Sequence, residues 1–401
     1  MRTMTRGKQS ISRLIVFLGL FSFFRPTIFE KFELTNAIFN AILIFSLVLS
    51  FIELVRHKNL PNKWFLLVAT AYYGTLLYST IVHGGSLSRA LMFALTGYFT
   101  VFFVKYMMIY ELPFSTRLMR GLLWIYVIIN FLTQMIPGGL ATTEGGGAVF
   151  FLGQETRFAY FYLPALLFCI LGDIYRYGRV STNTFVIYFA CLATLIAAWT
   201  VGSSLAFLAL IAFFIFHRLK IFNVFTYFSV QAIAYIGLVY FAIQELFAIF
   251  IEVYLHKDAS LSSRTFIWRN ALEVIEDSPL LGAGVFTNDY NNDVLGFVHA
   301  HNHLLNITFQ SGYLGLALFV LLIILGYITV HHYRHFFSAK VIGFFMFMIG
   351  IQLLVDTVDG VRNHYLFIIA MAAFLGDYIK LLKNKNNPSP RINVNMVRSN
   401  K

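Results

Sequence analysis

Arginine and histidine are the residues whose types and spacing point to chemistry in this chain. Arg264 and Arg269 lie on a segment where Phe266, Ile267, Ala271, Val274 and Ile275 recur at helical spacing. Arg269 has Glu273 four positions on, so a plain surface ion pair would explain it. Arg264 has Ile267 and Trp268 at i+3 and i+4, so no acid there answers it. An unpaired guanidinium beside a membrane suits a phosphate, either a substrate's or a lipid headgroup's. Arg157 and Arg362 each open an apolar segment. There a guanidinium either snorkels to the interface or binds an anion. Asp356 and Asp359 are structural partners available to Arg362.

The run His299-Ala300-His301-Asn302-His303 precedes another apolar segment. A histidine at a membrane boundary can act as acid or base, and it can equally cap a helix. Alternation of His299, His301 and His303, with Asp289 or Asp293 nearby, also raises a metal site. Asn302 and the adjoining helix start leave only part of the run extended, so no metal and no cofactor is expected. His331, His332, Arg334 and His335 read as a solvated basic face on the other side of the membrane.

These side chains must be positioned by a very apolar scaffold. Hydrophobic residues make up 59% of the 401, charged residues 12%, and there are 45 Phe and 22 Tyr. No water-soluble fold of this length covers so much apolar surface, and disordered chains are poor in aromatics. The expectation is an all-α polytopic membrane protein with about twelve transmembrane helices. They are placed at 11–24, 36–55, 64–82, 90–110, 120–136, 158–173, 183–200, 203–217, 222–251, 304–330, 340–356 and 363–381. The first is the weakest, being short and carrying Arg13. Gly202, Ser203 and Ser204 supply the turn between the seventh and eighth.

With the N-terminus in the cytoplasm, 21 of the 30 Lys and Arg fall in cytoplasmic segments and 8 outside, with Lys105 inside a span. Thirteen of the 18 acids fall outside. The positive-inside bias therefore puts both termini in the cytoplasm. The net charge of +12 is largely topological and does not call for nucleic acid as a partner. Cys169 and Cys191 lie in apolar spans, so no disulfide framework is expected. Phosphate loops of the P-loop type are absent from the sequence.

The organisation expected is a membrane domain over 1–251 with nine spans, an extracytoplasmic catalytic loop over 252–303, three more spans over 304–382 and a disordered cytoplasmic tail over 383–401. The loop is too long to be a simple connector. Ser262 or Ser263 can cap its amphipathic helix, which ends at Ser278-Pro279 and lies on the membrane's outer face. Gly282 and Gly284 then turn the chain ahead of the polar stretch 288–293.

Ser262-Ser263-Arg264, Trp268, Ala271-Leu272, Pro279-Leu280-Leu281-Gly282-Ala283-Gly284 and His301-Asn302 followed by Gly312 and Gly315 occur in that order. This pattern resembles the O-antigen ligase and polymerase superfamily. The resemblance implies an inverting, GT-C-like membrane glycosyltransferase at the outer face of the bacterial cytoplasmic membrane. Its donor would be a glycan on a polyprenyl diphosphate. It implies Arg264 and His301 as catalytic residues, with His301 as base or acceptor-orienting group. Arg157 corresponds to a further family arginine. Gly202-Ser203-Ser204-Leu205 lacks the arginine the family often carries there, so Arg269 or Arg362 would complete the diphosphate site. His299, Asn302 and His303 would position the acceptor. The partners implied are the lipid-linked oligosaccharide, the bilayer, a chain-length regulator and a repeat-unit flippase.

Polymerase is preferred to ligase, because the Phe-, Ile-, Lys- and Asn-rich composition looks like a low-GC Gram-positive source without a lipid A acceptor. A twelve-span transporter or lipid flippase is the alternative from another class. Lys105 and Glu245 are its mid-span charges.

Overall fold

The computed structural model describes residues 6–60, 62–142, 147–241, 264–358 and 362–386. Among them the helices are α1 (Arg6–Phe23), α2 (Glu33–Arg56), α3 (Lys63–Val82), α4 (Leu87–Tyr110), α5 (Leu112–Gln134), α6 (Phe158–Tyr177), α7 (Thr182–Ala197), α8 (Val201–Phe216), α9 (Val224–Tyr240), α10 (Arg264–Asp277), α11 (Asn288–Leu295), α12 (His303–His332), α13 (Phe337–Gln352), α14 (His364–Ala373) and α15 (Leu375–Asn386). Two short strands, β1 (Ala141–Thr142) and β2 (Ala148–Val149), pair antiparallel between α5 and α6. Each of the twelve apolar segments, over its described residues, falls on a helix or a helix pair, and the chain is an all-α polytopic membrane protein.

Length separates these helices into two groups. Six are long and apolar enough to cross a membrane: α2 to α5, α6 with the turn before it, and α12. The pair α14 and α15 makes a seventh if its 54° bend lies within one span. α1, α7, α8, α9 and α13 are apolar but shorter. The break between α7 and α8 comes earlier than expected. Trp199 takes a left-handed φ of 53°, Thr200 precedes α8, and Gly202, Ser203 and Ser204 lie inside the first turn of α8. Residues 242–251 of the expected ninth span, with Glu245, lie outside the described residues, as do Ser262, Ser263, Asp359 and residues 387–401.

The interior is organised around α6, which is buried along nearly its whole length. A helix apolar on every side is stable only when surrounded by others. Here α5, α7, α13 and α14 pack around it. Lys105, expected as a mid-span charge, is instead a structural group. Its Nζ lies 3.2 Å from Asp377 and donates to the Leu60 carbonyl at 2.7 Å, near the α2–α3 turn.

Over the described residues α10 runs from Arg264 to Asp277, ending before Ser278-Pro279 as expected. Its apolar face is covered by protein. Ile267, Trp268, Ala271 and Ile275 are buried in a cluster with Tyr235, Leu295, Leu305, Phe309 and Leu354. The polar stretch after it is helical too. α11 is capped by the Thr287 side chain and closed by Gly296.

The glycines of the motif fasten this layer to α12. Gly312 interrupts α12 with φ 64° and ψ −173°. Across the break Ala283 N donates to Phe309 O at 2.7 Å and Tyr313 N to Pro279 O at 2.8 Å. A Cβ on Gly312 would stand 2.1 Å from the Leu280 carbonyl oxygen, and one on Gly282 2.5 Å from that of Phe309. Gly312→Ala is therefore expected to cost on the order of 3 kcal/mol, combining backbone strain with overpacking. Thermal unfolding in detergent checks it against Gly74→Ala, whose Cβ would meet nothing within 4 Å. Equal melting of the two variants would contradict the interlock.

Candidate active site

One face of the bundle gathers the start of α2, the N-terminal ends of α4, α6, α12 and α14, and the C-terminal end of α13. A cavity of about 550 Å³ opens there. Arg25, Arg89, Arg157 and Arg362 line it together with His299 and His364, and Glu30 is the single acid of that lining. Four guanidiniums against one carboxylate make a wall suited to a multiply charged anion.

His301 is presented by a segment that three asparagines pin. Asn291 Nδ2 donates to Val298 O at 2.9 Å, and Asn306 Oδ1 accepts from Ala300 N at 3.2 Å. Asn302 Oδ1 caps α12 by accepting from Leu305 N, while its Nδ2 donates to Leu354 O at 2.8 Å. Between these anchors His301 takes a left-handed φ of 48°. That conformation is rare for a residue with a side chain and collects at functional sites. The His301 ring rests between Phe297 and His299, with ring centroids 4.3 and 4.2 Å away.

Asp356, in the turn after α13, completes the arrangement. His301 Nδ1 lies 3.8 Å from Asp356 Oδ1, within ion-pair reach and beyond hydrogen-bond length. Asp356 Oδ1 also accepts from Thr357 N at 2.8 Å. His299 is buried, and its Nδ1 accepts the His301 backbone N–H at 3.2 Å. Burial above all, then the neighbouring His301, Arg157 and Arg264, pull the His299 pKa down to about 3 against the pull of Asp356. His299 is thus neutral at physiological pH.

Arg157 and Arg264 reach this carboxylate from different elements. Arg157 ends the single-turn helix Glu155–Arg157 directly before α6. Its charge acts on His299, Asp356 and Arg362. Arg264 opens α10 close to Asp356 and Tyr160, and burial lowers its pKa while those two oppose the shift. Among the described residues neither guanidinium forms a hydrogen bond or ion pair.

Other expected site residues go elsewhere. Arg269 is exposed on α10 and makes no ion pair with Glu273; Arg264, His301 and Asp356 stand beside the cavity rather than in its lining. A separation of five residues turns Arg269 well away from Arg264 on the helix. Asn302 is fully buried by its cap and its Leu354 bond, and His303 Nδ1 pairs with Thr357 Oγ1 at 3.2 Å. Burial removes both from contact with an acceptor. Arg362 lines the cavity, but its carboxylate partner is Glu30, 332 residues away, not Asp356. Asp359 lies outside the described residues.

A metal set is present in altered form. His299, His301 and Asp356 offer ligand atoms within 4.8 Å of one another, without His303, Asp289 or Asp293. A cation there would lie among the charges of Arg157 and Arg264, and His299 Nδ1 is already engaged.

Arg25, Glu30 and Arg89 were not identified as site residues from the sequence. Arg89 donates to Phe286 O and Asn288 Oδ1, both at 2.8 Å, so it also ties α4 to the α10–α11 layer. Nothing local in the sequence separates these residues from ordinary loop charges.

Residues 185–320 match a family model described as O-Antigen ligase. Over this stretch the chain is similar to the O-antigen ligase family. A protein of Rickettsia typhi, provisionally named a polysaccharide ligase, is 34% identical over 85 residues. That alignment covers 18% of this chain and 21% of the Rickettsia protein. The chain thus spans about a fifth of that curated relative. The O-antigen ligase stretch contains Arg264, His299, His301, Asn302, Gly312 and Gly315. Arg25, Glu30, Arg89, Arg157, Asp356 and Arg362 lie outside it.

Proposed function

We propose that this chain is a polysaccharide repeat-unit polymerase acting at the outer face of the bacterial cytoplasmic membrane. It would move a glycan from a polyprenyl diphosphate onto the sugar of a second lipid-linked unit, for capsule, exopolysaccharide or O-antigen. In this reading all twelve apolar segments lie in the membrane in a GT-C-like arrangement, both termini face the cytoplasm, and the α10–α11 layer is extracytoplasmic. The observation that carries it is one cavity walled by arginines beside a histidine paired with a carboxylate.

The chemistry follows from the donor. An acceptor hydroxyl oxygen attacks the anomeric carbon, the bond from that carbon to the diphosphate oxygen breaks, and the anomeric centre inverts. Negative charge grows on the departing diphosphate, where Arg157, Arg264 and Arg362 stabilise it. The hydroxyl proton passes to His301 Nε2, while Asp356 stands at Nδ1 and supports the ring as it becomes cationic. His299 is neutral and holds the His301 backbone, which makes it a positioning residue. Asn302 acts the same way through the cap of α12. A chain-length regulator and a repeat-unit flippase would be partners.

A ligase reading is favoured by the name of the matched family model and of the Rickettsia relative. The flippase reading is weakened by the structural pairing of Lys105 with Asp377. One experiment separates all three. Purified protein in detergent, without a gradient, is given polyprenyl-diphosphate oligosaccharide and lipid A core in separate reactions. Longer polyprenyl-linked chains are expected. Transfer only to lipid A core would make it a ligase, and no transfer to either would overturn the transferase reading.

A further inference from the structure

The cavity wall contains a contact that the transfer chemistry does not explain. Glu30 Oε1 accepts from Arg25 at 3.2 Å and from Arg362 at 2.5 Å, so one carboxylate oxygen serves two guanidiniums. The remaining hydrogen bonds of both arginines go to neutral groups fixed in the bundle, and Arg25 Nε is buried without a partner. Arg25 donates to Asn40 Oδ1 at 2.8 Å and Asn36 Oδ1 at 2.7 Å, and Arg362 to the Arg25 carbonyl. The Arg25 guanidinium lies 5.7 Å from the Phe39 ring centre and that of Arg362 5.6 Å from that of Phe161.

Exposure differs sharply across the trio. The side chains of Arg25 and Arg362 are 2% and 9% exposed, that of Glu30 28%. Glu30 sits on a short helical turn, Thr27–Lys31, outside the main helices. The two cations are therefore held rigidly, and their shared anion is the movable member. Charge is also unbalanced, since Arg89 and Arg157 line the same wall. Buried guanidiniums are strongly stabilised by an anion with several oxygens in a plane or tripod, which phosphate supplies better than one carboxylate oxygen.

We propose that Arg25 and Arg362 form a phosphate seat, and that Glu30 occupies it as an internal competitor which the substrate's phosphate displaces. The seat takes a phosphate or diphosphate group, and its assignment to the lipid-linked donor rests on the function proposed above. Glu30 would thereby lower affinity for the diphosphate product as well, easing its release.

The test is pyrophosphate binding to the purified full chain in detergent, read by calorimetry. Glu30→Gln, which keeps an acceptor but removes the charge, is expected to bind about tenfold tighter than the unmodified chain. Arg25→Ala should bind about tenfold weaker or not at all. Glu30→Asp, whose shorter side chain draws the carboxylate back, should also bind tighter and serves where Glu30→Gln does not fold. Binding by the Glu30 variants no tighter than by the parent would overturn the proposal, leaving Glu30 as a structural clasp. Tight, Glu30-dependent binding in a protein that transfers no glycan would keep the seat and sink the transferase reading. Normal transfer with binding indifferent to Glu30 would do the reverse.

Discussion

Replacing His301 by Ala is expected to lower glycan transfer by about 10²–10⁴-fold, the range a lost general base produces. The protein should still reach the membrane folded, because the bonds that shape its segment come from Asn291, Asn302 and Asn306 and from the His301 backbone. Asp356→Asn removes the charge behind the ring and keeps the shape, so its loss should be smaller and should fall on kcat more than on KM. The double variant should be no worse than His301→Ala alone, since the carboxylate acts through the imidazole. Chain-length ladders from membranes and initial rates from purified protein measure both. A His301→Ala enzyme at parental rates would remove the base from the mechanism. A loss from Asp356→Asn that adds fully to that of His301→Ala would assign the carboxylate a separate task.

How much of this was legible in the sequence depends on distance along the chain. Helix positions followed from apolar run length, and α10 from the spacing of Ile267, Ala271 and Ile275. Arg264 stood out because its i+3 and i+4 neighbours are apolar, a local signal. His301 stood out in a run at a helix start. Asp356 was visible only as a partner for Arg362, because its approach to His301 joins residues 55 apart through the packing of α12 on α13. The carboxylate partner of Arg362 was hidden for the same reason. Glu30 reaches it across nearly the whole chain, and no periodicity encodes such a pairing. Arg269 has the type and the sequence neighbourhood of a site residue, but the turn of the helix sends it to solvent.

The second large effect is expected at Arg157 and Arg264. Each carries a charge that no described hydrogen bond or ion pair uses, and both act on the Asp356 and His299 region from opposite elements. If the developing diphosphate charge is what they answer, Arg157→Ala and Arg264→Ala should each lower kcat by about 10²–10³-fold, the size of a lost transition-state donor in a water-poor site. Lysine should restore little, because a point charge cannot reproduce a paired donor geometry. Arg269→Ala is the control, an exposed position on the same helix as Arg264, and should transfer at the parental rate. The double Arg157→Ala, Arg264→Ala variant tells whether the two hold one phosphate or two. Losses that multiply place them on separate oxygens, whereas a double variant no slower than either single one means that both must be present to bind the same group. Parental activity in both single variants would move the diphosphate away from Arg157 and Arg264, toward Arg25, Arg89 and Arg362.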